Sequence, residues 1–167
     1  MFKAKVIKSS KRDFECQTLD DPKTIVMATA LGNLLKGEDS IVVGDEVMID
    51  DKKIVEVLPR RSEIYRLLIR EKKKKVTAAN CDFMVIVNSV SRPEFKRGIV
   101  DRFLVRAHQW QIRPIVVFNK MDEYSEDMFD LQFEVDRLKH LGVECFDMSA
   151  KSGGSYQTRF MSNGFEK

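Results

Sequence analysis

The chain has 167 residues, of which 43% are hydrophobic and 33% are charged, and its net charge is +3. These values predict one ordinary globular domain or two small ones, and they exclude a disordered, collagen-like or low-complexity chain. No apolar run approaches the ~18 residues of a membrane-spanning helix, and the N-terminal MFKAKVIKSSKR lacks the apolar core of an export signal. We therefore expect a cytoplasmic protein that has no membrane segment.

Residues 1–58 are rich in short β-strand patterns. Five runs with period-2 patterning are separated by turn-forming residues, and they are Lys3–Lys8, Phe14–Thr18, Ile25–Thr29, Glu46–Ile49 and Ile54–Leu58. Five short strands in so short a segment predict a small antiparallel barrel or sandwich. A five-stranded OB-like barrel is the best match in size.

Basic residues are concentrated in the next segment, residues 59–80, which we interpret as a connector. Between Arg60 and Lys75 the sequence has eight basic and two acidic residues, a net charge of +6, so the rest of the chain carries −3. Such a strip favours contact with a polyanion, and a solvated linker or helix face is the alternative interpretation. The candidate RNA-binding residues are Arg60, Arg61, Lys72, Lys73, Lys74 and Lys75.

From residue 81 the pattern changes to alternating strands and helices. Phe83–Val90 and Pro114–Phe118 are continuous apolar runs that predict strands buried on both faces, and Val143–Met148 predicts a third strand. Apolar residues at helical spacing predict one helix within Lys96–Gln111 and a second helix marked by Phe129–Leu141. The alternation predicts a partial parallel α/β sheet with helical crossovers, and ligands bind such sheets at the carboxyl ends of the strands.

Two motifs lie at those strand ends. Asn119-Lys120-Met121-Asp122 follows the second strand, and Ser149-Ala150-Lys151 follows the third. Together they form the guanine-recognition pattern of GTP-binding domains, and a pair of turns without a ligand is the alternative. The carboxylate of Asp122 can accept hydrogen bonds from both N1–H and the exocyclic amine of guanine, which adenine cannot donate.

The neighbouring residues have supporting roles in this interpretation. The Asn119 amide supplies a donor and an acceptor to the base and the nearby loops, and the Lys120 stem covers the purine face. The backbone N–H of Ala150 donates to guanine O6, and Ser149 braces the turn. The candidate guanine-binding residues are Asn119, Lys120, Met121, Asp122, Ser149 and Ala150.

The sequence lacks the usual residues for binding the phosphates of GTP. It contains neither GxxxxGK[ST] nor DxxG. Gly32 and Gly37 have the right spacing, but Glu38 and Asp39 follow, and their carboxylates would repel phosphate. Because phosphoryl transfer depends on positioning the phosphates and stabilising their charge, we predict no catalytic residue and no hydrolysis by this chain alone.

The cysteines and histidines do not have the spacing of metal ligands. The three cysteines lie far apart in the sequence and form no CxxC pair, and the two histidines form no HxxxH pair. We therefore predict free thiols and no metal site; the residues are Cys16, Cys81, Cys145, His108 and His140.

Five segments resemble the ribosome small-subunit-dependent GTPase A (RsgA) family, and they are Val42–Val47, Pro59–Ser62, Ala78–Asp82, Asp101–Val105 and Asn119–Asp122. The resemblance implies an N-terminal OB barrel, a circularly permuted GTPase domain and a zinc-binding domain. It also implies GTP hydrolysis with Mg²⁺, stimulated by the small ribosomal subunit, whose RNA the OB domain and neighbouring segments contact. Permutation explains why the guanine motifs come before any phosphate loop.

The expected organisation is a barrel at 1–58, a basic connector at 59–80, a partial GTPase domain at 81–151 and a tail at 152–167 without a family pattern. The simplest account is a truncated family member that recognises guanine and binds GTP or GDP weakly. The Mg²⁺ and zinc that the family implies would have no ligands in this sequence. The alternative is a non-catalytic module that binds the RNA of the small ribosomal subunit and has a vestigial nucleotide pocket.

Overall fold

The computed structural model describes residues 1–10, 12–30, 32–35, 40–68, 70, 72–152 and 157–160. The chain divides into two compact units, Met1–Cys81 and Asp82–Lys167. The first unit contains a 3-10 turn at Gly32–Leu35 and the strands β1 (Phe2–Ser10), β2 (Asp13–Thr18), β3 (Ile25–Ala30), β4 (Glu46–Asp50), β5 (Lys53–Val57), β6 (Glu63–Leu68) and β7 (Lys73–Ala79).

Strands β1 to β5 close into a barrel in the order β1-β2-β3-β5-β4, which confirms the predicted five-stranded barrel. Alternate side chains point inward because successive residues of a strand face opposite ways. The buried core includes Val6, Phe14, Val47, Ile49 and Ile54. The pairing differs from an all-antiparallel arrangement at one place, since β3 and β5 are parallel. After β3, the chain forms the 3-10 turn and β4 before β5 returns to pair with β3.

The segment predicted as a connector forms an antiparallel hairpin, β6–β7, that belongs to the first unit. Its inner residues Tyr65 and Val76 pack with Val42, and a bridge joins Val43 to Ala78. Gly44 makes the closest approach, because a Cβ built on it would lie 1.9 Å from the Ala79 carbonyl oxygen, and its φ is +93°. Glycine is therefore required at this contact.

The second unit contains β8 (Phe83–Ser89), α1 (Arg97–Gln109), β9 (Arg113–Asn119), α2 (Leu131–His140), β10 (Glu144–Asp147) and β11 (Gln157–Phe160). The strand order is β11-β10-β9-β8, with β8, β9 and β10 parallel, as predicted. The additional strand β11 lies in the 152–167 tail and pairs antiparallel with β10. Gly142, with φ +68°, follows the end of α2. Among the described residues no helix has the length and apolar character needed to cross a membrane.

Both helices pack on one face of this sheet. Ile86, Val116, Phe118 and Cys145 on that face share a core with α1 and α2, whose contributions are Val100, Leu131, Val135 and Leu138. Successive right-handed crossovers that proceed in one direction place their helices on the same side. The prediction that the first strand is buried on both faces is therefore wrong for β8, whose Phe83, Val85 and Val87 are 52–60% exposed.

Candidate functional site

The loops that follow β9 and β10 meet at the carboxyl end of the sheet. After Asn119, the last residue of β9, Lys120 has a left-handed backbone with φ 67°, and Met121–Glu123 form a 3-10 turn. The Met121 N–H donates to the Met148 carbonyl oxygen at 3.1 Å and so ties the two loops together. This turn exposes the Asp122 side chain, whereas Met121 packs against the hydrophobic core and anchors the loop.

The Asn119 side chain fastens the two motifs to each other. Its Oδ1 accepts hydrogen bonds from the Lys120 N–H at 2.8 Å and from the Ala150 N–H at 3.2 Å. The Ala150 N–H was predicted to donate to guanine O6, and in this structure it donates to Asn119 instead. Its contact with the base remains a prediction.

Ser149 orients the carboxylate of Asp122. The hydroxyl of the buried Ser149 donates to Asp122 Oδ1 at 2.5 Å, while the Asp122 side chain stays exposed. This hydrogen bond is the main cause that lowers the pKa of Asp122, and the positive charges of Lys151 and Lys120 lower it further. Asp122 therefore remains a carboxylate well below neutral pH, which is the form that accepts hydrogen bonds from a guanine edge.

The loop after β8 also reaches the site, which the sequence analysis missed. Lys120 Nζ donates to the Arg92 carbonyl oxygen, and the Ser91 hydroxyl donates to Glu123. The Val90 N–H donates to the Asn119 carbonyl oxygen at 3.1 Å. The sequence could have indicated this contact. Because β8 and β9 are parallel, the residues that follow β8 must lie at the same edge of the sheet as the residues that follow β9.

Arg60 and Lys74, two of the predicted RNA-binding residues, are engaged inside the first unit. Arg60 is 9% exposed and makes two bonds to the fully buried Asp45, Nε–Oδ1 at 2.6 Å and Nη2–Oδ2 at 2.9 Å. Its Nη1 donates to Glu63 at 3.0 Å, and Lys74 donates to the other oxygen of Glu63. The bonds to Asp45 are the main cause that raises the pKa of Arg60. These internal partners give both side chains a structural role within the first unit, and their contact with RNA stays a prediction.

The remaining candidates lie at the surface. Arg61, Lys72, Lys73 and Lys75 are exposed. In the part of the chain that the structure describes, no three His, Cys, Asp or Glu side chains lie close enough to hold a metal ion.

Comparison with known proteins points to a single family. A family model described as RsgA GTPase matches residues 57–160, which reaches past Lys151 into the tail. A relative from Bacteroides thetaiotaomicron, named small ribosomal subunit biogenesis GTPase RsgA 2, is 33% identical over 90% of this chain and 52% of its own length. One from Christiangramia forsetii, named small ribosomal subunit biogenesis GTPase RsgA, is 30% identical over 71% of this chain and 41% of its own.

Solved structures support the same fold. YjeQ from Thermotoga maritima matches 91% of this chain and 53% of its own with a TM-score of 0.72 and 24% identity. YloQ, described as a circularly permuted GTPase, matches 90% of this chain and 52% of its own with a TM-score of 0.66 and 26% identity. The chain thus spans about half the length of these proteins.

Proposed function

The chain belongs to the RsgA GTPase family, and from this membership we propose that its second unit binds the guanine base of GTP or GDP. We further propose that the chain acts with the small ribosomal subunit, as the names of its relatives suggest for them, and that it does so in the cytoplasm. The chain spans about half the length of those relatives, so the proposal covers guanine binding and action with the small subunit and does not extend to GTP hydrolysis by this chain alone.

The joining of the two motifs carries this proposal. Two hydrogen bonds, from the Ala150 N–H to Asn119 Oδ1 and from the Ser149 hydroxyl to Asp122 Oδ1, hold together residues that are about thirty positions apart. An exposed carboxylate with one anchored oxygen suits the paired donors of guanine, N1–H and the exocyclic amine. A pair of unrelated turns would not require this cross-link between the two loops.

In this proposal the phosphates of GTP contribute little to its binding affinity. The sequence has no GxxxxGK[ST] segment to surround them and no DxxG. Guanosine and GTP should therefore bind with similar, weak affinities, and this chain by itself should not hydrolyse GTP. A second candidate function, a non-catalytic module that binds the RNA of the small subunit, is favoured by the exposed basic residues of the β6–β7 hairpin.

A change of base specificity tests the guanine site. Xanthosine carries a carbonyl oxygen where guanosine carries the exocyclic amine, so Asp122→Asn should lose guanosine and gain xanthosine. We expect guanosine affinity to fall at least about tenfold, since each hydrogen bond to a charged group contributes about 1.5–3 kcal/mol. Isothermal titration of both nucleosides measures the change.

Asp127→Asn is the matched control, because Asp127 is an exposed aspartate a few residues further along the chain. It should leave both affinities unchanged. If Asp122→Asn binds guanosine as well as the original chain does, Asp122 does not read the base and the proposed site is wrong.

A further inference from the structure

The β8–α1 loop, residues 90–96, is fastened at both of its ends to the β9–α2 region. At its start, the Val90 N–H donates to the Asn119 carbonyl oxygen at 3.1 Å. Near its end, the ring of Phe95 stacks on the ring of Phe129, with centroids 4.5 Å apart. Because Phe129 lies just before α2, the β8–α1 loop runs along the whole segment that joins β9 to α2.

Between these two attachments, Ser91 contacts the turn that presents Asp122. Ser91 is 9% exposed, and its hydroxyl donates to the carboxylate of Glu123. Glu123 is the last residue of the 3-10 turn and follows Asp122 directly, and its N–H donates to the Lys120 carbonyl oxygen at 2.8 Å. A hydrogen bond that fixes Glu123 therefore also fixes the direction of the neighbouring Asp122 side chain.

The same loop engages the ammonium group of Lys120, whose Nζ donates to the Arg92 carbonyl oxygen. The charge of Lys120 contributes to the lowered pKa of Asp122, so the ammonium group lies within electrostatic reach of that carboxylate. A lysine without this anchor could pair with Asp122 and compete with guanine for its oxygens. The Arg92 carbonyl oxygen thus helps to keep the carboxylate available to a base.

The bond between Ser91 and Glu123 suits positioning better than stabilisation. The Glu123 side chain is exposed, so water already solvates its carboxylate and the bond adds little to the stability of the fold. Its effect on geometry is larger, because a carboxylate that reads guanine must meet two donors of the base at once. Such groups must be held within about 0.5 Å of their productive positions.

We propose that Ser91 is a positioning residue of the guanine site, which holds Asp122 in the direction that reads the base by fixing Glu123. The inference rests on the proposed function, in which Asp122 accepts hydrogen bonds from N1–H and the exocyclic amine of guanine. It adds the β8–α1 loop to a site whose sequence motifs lie only after β9 and β10.

Comparison of guanosine with inosine tests this role. Inosine keeps N1–H and lacks the exocyclic amine, so the ratio of the two affinities measures how well Asp122 meets the amine. In the original chain guanosine should bind at least about ten times more tightly than inosine, since a hydrogen bond to a charged group contributes that much. Ser91→Ala should lower guanosine affinity about tenfold and reduce the ratio to about two, because a misdirected carboxylate loses the amine first. Isothermal titration of the full chain measures both affinities.

Variants of Glu123 connect the effect to the bond itself. Glu123→Gln keeps an oxygen that accepts from Ser91 and should retain the ratio of the original chain. Glu123→Ala removes the acceptor and should match Ser91→Ala. The double variant Ser91→Ala with Glu123→Ala should lose no more guanosine affinity than either single variant, because the two residues act through one bond. Additive losses would overturn the inference.

Ser125→Ala is the matched control, because Ser125 is an exposed serine of the β9–α2 loop whose hydroxyl bonds to Asp127. It should leave both affinities unchanged. The melting temperature of Ser91→Ala should stay within about 4 °C of the original, the shift expected from loss of one bond to an exposed carboxylate. Equal losses of guanosine and inosine affinity, which leave the ratio unchanged, would make Ser91 merely structural and refute its positioning role.

Two outcomes separate this inference from the proposed function. If Asp122→Asn loses guanosine while Ser91→Ala binds it as the original chain does, the positioning role is wrong and the guanine site stands. Absence of guanosine binding by the original chain would overturn both.

Discussion

At the scale of single residues, Asp45 is the junction between the barrel and the hairpin. This fully buried carboxylate accepts hydrogen bonds from the Val42 N–H at 2.8 Å and from two nitrogens of Arg60. Beside it, the Asn80 side chain donates to the Gly44 carbonyl oxygen and accepts from the Arg61 N–H. Three of the segments that carry the family resemblance, 42–47, 59–62 and 78–82, therefore meet at one place.

Removing Arg60 should be costly, because it leaves the carboxylate of Asp45 buried without its partner. We expect Arg60→Ala to lower the free energy of unfolding by about 3–5 kcal/mol, the range for a broken buried pair. Urea denaturation followed by circular dichroism measures this difference. Lys8→Ala removes an exposed pair with Glu15 and should change stability by less than about 1 kcal/mol. A similar small effect of Arg60→Ala would show that the buried pair contributes little.

These residues also show the limits of sequence reasoning. Asn119, Asp122, Ser149 and Ala150 could be chosen because their motifs carry a specific chemistry at strand ends. The structural role of Arg60 could not be predicted from the sequence, because a count of charges along the chain treats Arg60 like any exposed lysine. Its partner Asp45 is fifteen positions away, and only the closed barrel brings the two together.

At the scale of elements, adjacent residues of β8 lie in opposite environments. Val85 is 56% exposed on the face of the strand that points away from the helices, and Ile86 is 6% exposed in the core. The strand is also at the edge of the sheet within the described residues. An exposed apolar edge strand is a site for aggregation.

A pair of substitutions in β8 tests this assignment. Val85→Lys should slow aggregation and leave the melting temperature nearly unchanged, since it adds a charge to an exposed edge. Ile86→Ala should lower the free energy of unfolding by about 2–5 kcal/mol through loss of packing. Light scattering and thermal melts measure the two effects. Equal destabilisation by both variants would mean that the face bearing Val85 is buried in solution.

The positions of most strands could be predicted from the sequence, but the faces of the sheet that the helices cover could not. The alternation in residues 1–58 gave the five barrel strands, and the apolar runs after residue 81 gave β8, β9 and β10. A run such as Phe83–Val87 looks the same whether helices cover one face of its sheet or two, because that depends on the direction of the crossovers. The hairpin was missed because its lysines and arginines obscured the strand pattern.

At the scale of the whole molecule, two units have separate cores, one in the barrel and one between the parallel sheet and its helices. The change from period-2 patterns to alternating strands and helices lies at residue 81 of the sequence, beside the boundary between the two units. The single tryptophan of the sequence, Trp110, lies at the end of α1 in the second unit. Its fluorescence therefore reports on the unit that carries the candidate guanine site.

Guanosine should stabilise the second unit. A ligand at one hundred times its dissociation constant adds about 2.7 kcal/mol to the stability of the state that binds it. We expect saturating guanosine to raise the midpoint of a Trp110 fluorescence melt by several degrees, and adenosine to leave it unchanged. A midpoint that does not move with guanosine, or moves equally with adenosine, would contradict specific binding in this unit.

The two sheets differ in the distance along the chain between the strands that pair. In the second unit β9 pairs with β8 and β10 pairs with β9, so each parallel strand joins the one made before it. The barrel instead closes through β1 with β4, whose paired residues are 41–47 positions apart, compared with 29–30 positions for the paired residues of the parallel strands. Because β5 lies between β3 and β4, the barrel cannot close until Val57 has left the ribosome, whereas each parallel strand of the later sheet can pair as soon as it has been made.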